Sequence, residues 1–185
     1  MDTQKNSQPG TQVKSNRPVE TPLPWGLAAM LFWPIAIGGA TLDLWSKWAV
    51  FQWLDIQTGE YHVVIDRFLR IIPRENQGAA FSMFHGWRIF LVSVSLIALI
   101  VMIVLFFSRQ ITRKIVMFSL GCMTAGIIGN LYDRALNEGR VRDFIDVLIP
   151  VIDYSWPTFN VADSLLCVGV GLLVIANLRT PKEID

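Results

Sequence analysis

Histidine and cysteine are scarce in this chain, with two of each in 185 residues. That scarcity removes whole classes of chemistry. Neither His62 nor His85 sits in a His-Glu-x-x-His helix, so the usual zinc-hydrolase helix is missing. No Ser stands in a Gly-x-Ser-x-Gly turn, and no Ser–His pair is evident. Cys122 and Cys167 fall inside apolar runs at a spacing that suits no metal motif. They read as packing residues rather than a disulfide. Gly169-x-Gly171 lies within such a run and reads as helix packing, so no phosphate-cradling loop remains. No metal and no cofactor are expected. The net charge of +1, without a basic stripe, gives no reason to expect a nucleic-acid partner.

Charge is also missing over long stretches. Thr21 to Leu42, Ile89 to Ser108, Ile115 to Tyr132 and Ser164 to Leu178 contain none. Crossing the hydrocarbon takes roughly 20 apolar residues. The first three runs reach or approach that length, whereas the fourth does so only if its helix starts near Asn160. Asp163 then lies in its first turn. The chain, 52% hydrophobic, reads as an all-α integral membrane protein with four transmembrane helices and a small extracytoplasmic β element. Expected spans are about 25–47, 88–108, 113–134 and 159–179, within one domain over 24–180. Residues 1–23 form a polar tail expected to be disordered, and 181–185 a short cytoplasmic tail. The first span is too long and starts too late for a cleaved signal peptide, and reads as a signal-anchor.

Tryptophans 25, 45, 48, 53, 87 and 156 fall near span ends, where indole prefers the headgroup level, while Trp33 is left in mid-span. Arg109, Arg113 and Lys114 mark a short cytoplasmic connection, which puts both termini in the cytoplasm. The connections Asp43 to Arg88 and Asp133 to Phe159 then share the other face. In the first, Tyr61–Ile65 and Phe68–Ile72 are β-rich runs around Asp66-Arg67. The second is apolar through Phe144 to Ile152, contains Pro150 and Pro157, and is expected at the interface as a flap or short helix.

Every notable polar cluster maps to that one face. Asp43 and Lys47 have the spacing of a favourable helix pair, which leaves open a plain helix-end ion pair or a role in a site. Gly126, Asn130 and Arg134 share a helix face: the glycine admits a close neighbour, and the other two offer donors beyond it. Asn160 and Asp163 suit a helix N-cap and its third residue, a role compatible with chemistry. Asp143 alone would be an ordinary loop acid. A carboxylate at membrane depth is costly, however, and two within reach of each other suggest acid–base chemistry on a water molecule.

Together these segments resemble the lipoprotein signal peptidase (signal peptidase II) family of bacterial intramembrane aspartic peptidases. The resemblance rests on five boxes in order across about residues 25 to 178: Asp43-Leu-Trp-Ser-Lys47, Asn76-Gln-Gly78-Ala79-Ala80-Phe81-Ser82, Gly126-x-x-x-Asn130-x-x-Asp133-Arg134, Val141-Arg-Asp143-Phe144 and Phe159-Asn160-Val-Ala162-Asp163. It implies Asp143 and Asp163 as the catalytic pair. Asn76, Gly78, Asn130, Arg134 and Asn160 would bind substrate or orient the pair, and Asp43, Lys47 and Asp133 would hold the helices around it. It further implies diacylglyceryl-modified prolipoproteins as substrates, cut before the modified Cys. The expected setting is the bacterial inner membrane, with the site near the extracytoplasmic face, membrane lipid as surroundings and a monomer as the working unit. The rival expectation is a non-enzymatic carrier or assembly factor that uses the same polar cleft.

Overall fold

The computed structural model describes residues 21–78 and 87–178. Residues 1–20 of the expected 1–23 tail, the segment 181–185 and the Ala79–Ser82 part of the second box lie outside these, whereas Leu23 of that tail is buried and donates its N–H to Ile111 O at 3.0 Å. Among the described residues four helices, α1 (Trp25–Trp53), α2 (Arg88–Ser108), α3 (Lys114–Leu136) and α4 (Val161–Leu178), are long and apolar enough to cross a membrane. The strands are β1 (His62–Ile65), β2 (Leu69–Asn76), β3 (Val141–Ile149) and β4 (Tyr154–Ser155). They form one antiparallel sheet in the order β1-β2-β3-β4.

Helix α3 is the central element, packed against all three other helices. Small residues let it be so. A Cβ on Gly121 would lie 3.1 Å from the carbonyl oxygen of Phe32, and one on Gly126 would meet the carbonyl of Ala162 on α4. Helix α1 presents a single buried stripe, Ala28, Phe32, Ala36, Ala40, Asp43 and Lys47. The stripe is apolar at one end of the bundle and charged at the sheet end. At the apolar end Phe106 of α2 stacks on Phe32, with ring centroids 4.5 Å apart, and meets Trp33 edge-on at 5.4 Å. The mid-span tryptophan therefore packs between helices.

The stretch expected to form a flap or short helix, Phe144 to Ile152, is mostly strand instead: β3 pairs with β2 along its length. Alternation is the physical reason. Val141 and Asp143 are buried on one face of the strand, and Phe144 and Asp146 on the other. Asp146 is fixed by Arg70 Nε at 2.7 Å and by Ser155 Oγ at 2.7 Å, which ties β2, β3 and β4 together. Strand β2 continues past Pro73 by means of a bulge. Ile71 pairs with Ile145 and Arg74 with Asp143, so Ile72 and Pro73 together oppose Phe144. A bulge is where a strand tolerates the missing N–H of proline. Freed from that ladder, Phe144 N donates to Phe159 O at 3.0 Å, as Ile145 N does at 2.8 Å. These bonds hold the lead-in to α4 beside the strand that carries Asp143.

Candidate active site

Asp163 occupies the first turn of α4 because Asn160 caps that helix. Asn160 Oδ1 accepts the N–H of Asp163 at 2.9 Å, and Asp163 Oδ2 accepts the N–H of Asn160 at 3.3 Å. The pattern is a reciprocal capping box. Asn160 is completely buried and makes a second set of bonds through its amide nitrogen. Nδ2 donates to Asp143 Oδ1 at 2.6 Å and to Asn130 Oδ1 at 3.2 Å. One asparagine thus touches both carboxylates.

Each carboxylate has a further amide donor. Asn76, at the end of β2, gives Nδ2 to Asp143 Oδ2 at 3.3 Å while its Oδ1 accepts the N–H of Gly78 at 2.9 Å. Asn130, on α3, gives Nδ2 to Asp163 Oδ1 at 2.8 Å. The orientation of Asn130 follows from Lys47, which has only hydrogens to offer. Lys47 Nζ donates to Asn130 Oδ1 at 3.1 Å and forms ion pairs with Asp43 Oδ2 at 2.7 Å and Asp133 Oδ2 at 3.2 Å. The oxygen of Asn130 is thereby claimed, so its amide nitrogen faces Asp163.

Asp43, Lys47 and Asp133 are fully buried, a cost that the Lys47 ammonium, paired with both carboxylates, offsets in part. Asp43 also reaches across to α4, where its Oδ1 accepts the N–H of Ala162 at 2.7 Å. A carboxylate from α1 thus supplements the cap on α4, at the end of the helix where the dipole favours negative charge. Close packing makes this reach possible: a Cβ on Gly129 would collide with the Asp43 carboxylate.

Asp143 and Asp163 open on one cavity of about 950 Å³, also lined by Asn76, Asn130, Arg134 and Thr158. Arg134 donates Nη2 to Gly78 O at 3.3 Å, while its Nε is buried with no hydrogen-bond partner among the described residues. Burial pushes the Asp143 carboxyl up from its ordinary value to about 7, the nearby charge of Asp163 adds to the rise, and hydrogen bonds from Asn76 and Asn160 oppose it. The charge of one acid thus disfavours ionisation of the other across the cavity that both line. A smaller cavity of about 270 Å³, beside Arg67, Pro150 and Tyr154, contains none of these residues.

All ten residues singled out from the sequence lie in this one constellation. Sequence reasoning missed Arg142, whose guanidinium Nη2 sits 2.6 Å from Asp133 Oδ1, and the cavity wall formed by Trp156, Thr158 and Cys167. Its adjacency to Asp143 was a visible sign for Arg142. The wall residues carried none.

Among the described residues, four membrane-length helices, a sheet across one end and two aspartates lining one large cavity define a polytopic membrane protein with a polar site. Comparison with known proteins makes this specific. The family described as Signal peptidase (SPase) II matches residues 35–179. A lipoprotein signal peptidase of Francisella tularensis subsp. novicida is 39% identical over 146 residues, covering 76% of this chain and 87% of its own. One from Geobacillus thermodenitrificans is 38% identical over 154 residues, covering 81% and 91%. A solved bacterial membrane enzyme superposes with a TM-score of 0.74 at 30% identity, covering 90% of this chain and 99% of that one. The chain belongs to the signal peptidase II family. That membership makes it a peptidase and sets aside the non-enzymatic carrier or assembly factor.

Proposed function

We propose that this chain is an intramembrane aspartic endopeptidase that removes the signal peptide from prolipoproteins, cutting before a diacylglyceryl-modified cysteine. Family membership supports the coarser statement, processing of prolipoprotein signal peptides. The observation that carries the finer one is the bridge: Asn160 is hydrogen-bonded to both Asp143 and Asp163, and both line one cavity.

In the proposed reaction Asp143 holds the shared proton, as its burial beside Asp163 favours. Asp163 takes a proton from water as the water oxygen attacks the scissile carbonyl carbon, and Asp143 gives its proton to the carbonyl oxygen. The resulting diol collapses: the C–N bond breaks, the nitrogen leaves with the proton from Asp163, and a diol hydroxyl returns one to Asp143. Asn130 and Asn76 keep the carboxyls aimed, and Arg134 and Gly78 receive the substrate. Asp43, Lys47 and Asp133 hold α1, α3 and α4 around the site. The steps use only carboxyls and water. The working unit is a monomer of one domain over 24–180 in the bacterial inner membrane. Its cavity opens near the extracytoplasmic face among lipid, and both termini are cytoplasmic.

The test is cleavage by the purified protein of a diacylglyceryl-modified prolipoprotein, with the new N-terminus identified by mass spectrometry. The parent chain should release product beginning at the modified Cys, and Asp143→Asn and Asp163→Asn should each be inactive yet folded. Near-normal processing by either variant would sink the dyad.

A further inference from the structure

Arg142 stands immediately before Asp143 on β3. Its Nε and Nη2 donate to Asp133 Oδ1 at 3.1 and 2.6 Å, and its backbone N–H donates to Oδ2 of the same carboxylate at 3.0 Å. Asp43, Lys47, Asp133 and Arg142 therefore form a neutral cluster of two carboxylates and two cations. Without the guanidinium, Asp43 and Asp133 would compete for Lys47 alone. The ammonium would then be drawn from Asn130 Oδ1, and of the two donors that point the Asn130 amide at Asp163 the weaker, Asn160 Nδ2 at 3.2 Å, would be left. The backbone bond has a second effect, because it fixes the residue adjacent to Asp143 to the last turns of α3.

We propose that Arg142 is a positioning residue for the aspartate pair: by neutralising Asp133 it leaves Lys47 to hold Asn130 toward Asp163, while its main chain anchors Asp143. The proposal rests on the dyad reading above. Arg142 is not among the cavity-lining residues, so its removal should act on turnover rather than on substrate affinity.

Charge supplies a readout that a structural role would not move. Asp143 faces Asp163 on α4, Asn76 on β2, Lys47 on α1 and Arg134 on α3. An uncompensated Asp133 would add negative charge to that surrounding, so Asp143 would keep its proton to higher pH.

The experiment compares the full-length parent, Arg142→Gln and Arg142→Lys on a diacylglyceryl-modified prolipoprotein peptide, with kcat, KM, the pH profile of kcat and the melting midpoint measured for each. Arg142→Gln should lose about tenfold or more in kcat. Its KM should stay close to the parent's, and the alkaline limb should move up by about half a pH unit. Arg142→Lys should restore the limb through its charge but only part of kcat, since an ammonium cannot reproduce the fork. Parent-like kcat and an unmoved limb in Arg142→Gln would overturn the proposal, as would a lower melting midpoint with kcat per folded enzyme and limb unchanged. If Arg142→Gln fails to fold, Arg142→Lys decides: reduced kcat at parental KM supports the proposal and full kcat overturns it. Asp143→Asn, run alongside, separates the two ideas. Activity in that variant would remove the dyad itself, whereas its inactivity beside a normal Arg142→Gln would remove only the role of Arg142.

Discussion

Replacing Asn160 by serine separates its two jobs, capping α4 and joining the two carboxylates. Serine caps about as well as asparagine, whereas alanine costs a helix roughly 1 kcal/mol at that position. Serine cannot supply the amide N–H that now lies 2.6 Å from Asp143 Oδ1. A hydrogen bond to a charged group is worth about 1.5–3 kcal/mol. Spent on aligning the reacting pair, that corresponds to roughly 10- to 150-fold in rate. Asn160→Ser should therefore lose kcat on that scale with its melting midpoint close to the parent's, while Asn160→Ala should lose both. The pH profile adds a signed check. The Asn160 donor favours ionised Asp143, so its loss should make the acid hold its proton longer and move the alkaline limb to higher pH. The assay is cleavage of a fluorescent lipopeptide in detergent, with melting followed by intrinsic tryptophan emission. A serine variant within about threefold of parental kcat would refute the bridge.

Asp143→Asn should be inactive but more stable than the parent at pH 8. The Asp143 carboxyl rises from an ordinary 3.8 to about 7 in the folded protein, so its ionisation opposes folding. The penalty is absent below pH 4, grows between pH 4 and 7, and reaches at most about 4 kcal/mol above that. Equal melting midpoints for parent and variant at pH 8 would contradict this. Parental kcat should fall about tenfold per pH unit above about 7 as Asp143 loses the shared proton, and a profile flat to pH 9 would remove Asp143 as the acid. Gly126→Ala should push α4 off α3, because the new methyl would meet the Ala162 carbonyl and lie 2.6 Å from Leu166 Cγ. A loss of about 1–3 kcal/mol in stability together with most of the activity is expected, and a fully active variant would show that this helix contact does not set the position of Asp163.

The four helices were legible because charge-free runs of membrane length are hard to read otherwise, and the short fourth run fixed the depth of Asp163. Most of the sheet was not legible. Pro73 stopped the expected second strand at Ile72, since proline breaks a ladder unless a bulge absorbs it, and here one does. Strand β3 read as an interfacial flap because its partner lies far away in sequence, Arg70 meeting Asp146 across 76 positions. Short apolar runs of this kind do not declare their own geometry. The site divides in the same way. Asp43 and Lys47 stood out as a helical pair, but the bond from Asp43 to Ala162 spans 119 positions and left no local trace. Arg142 reaches Asp133 around a tight turn in which Glu138 and Gly139 both have positive φ, at 49° and 87°. Nothing in the spacing of those residues announces the turn.

The decisive measurement is the separation of the Asp143 and Asp163 carboxyls in a crystal structure with an uncleavable lipopeptide bound. Both should lie within hydrogen-bond reach, about 3 Å, of one water poised at the scissile carbonyl. Carboxyls too far apart for a single water to bridge, with substrate in place, would contradict it.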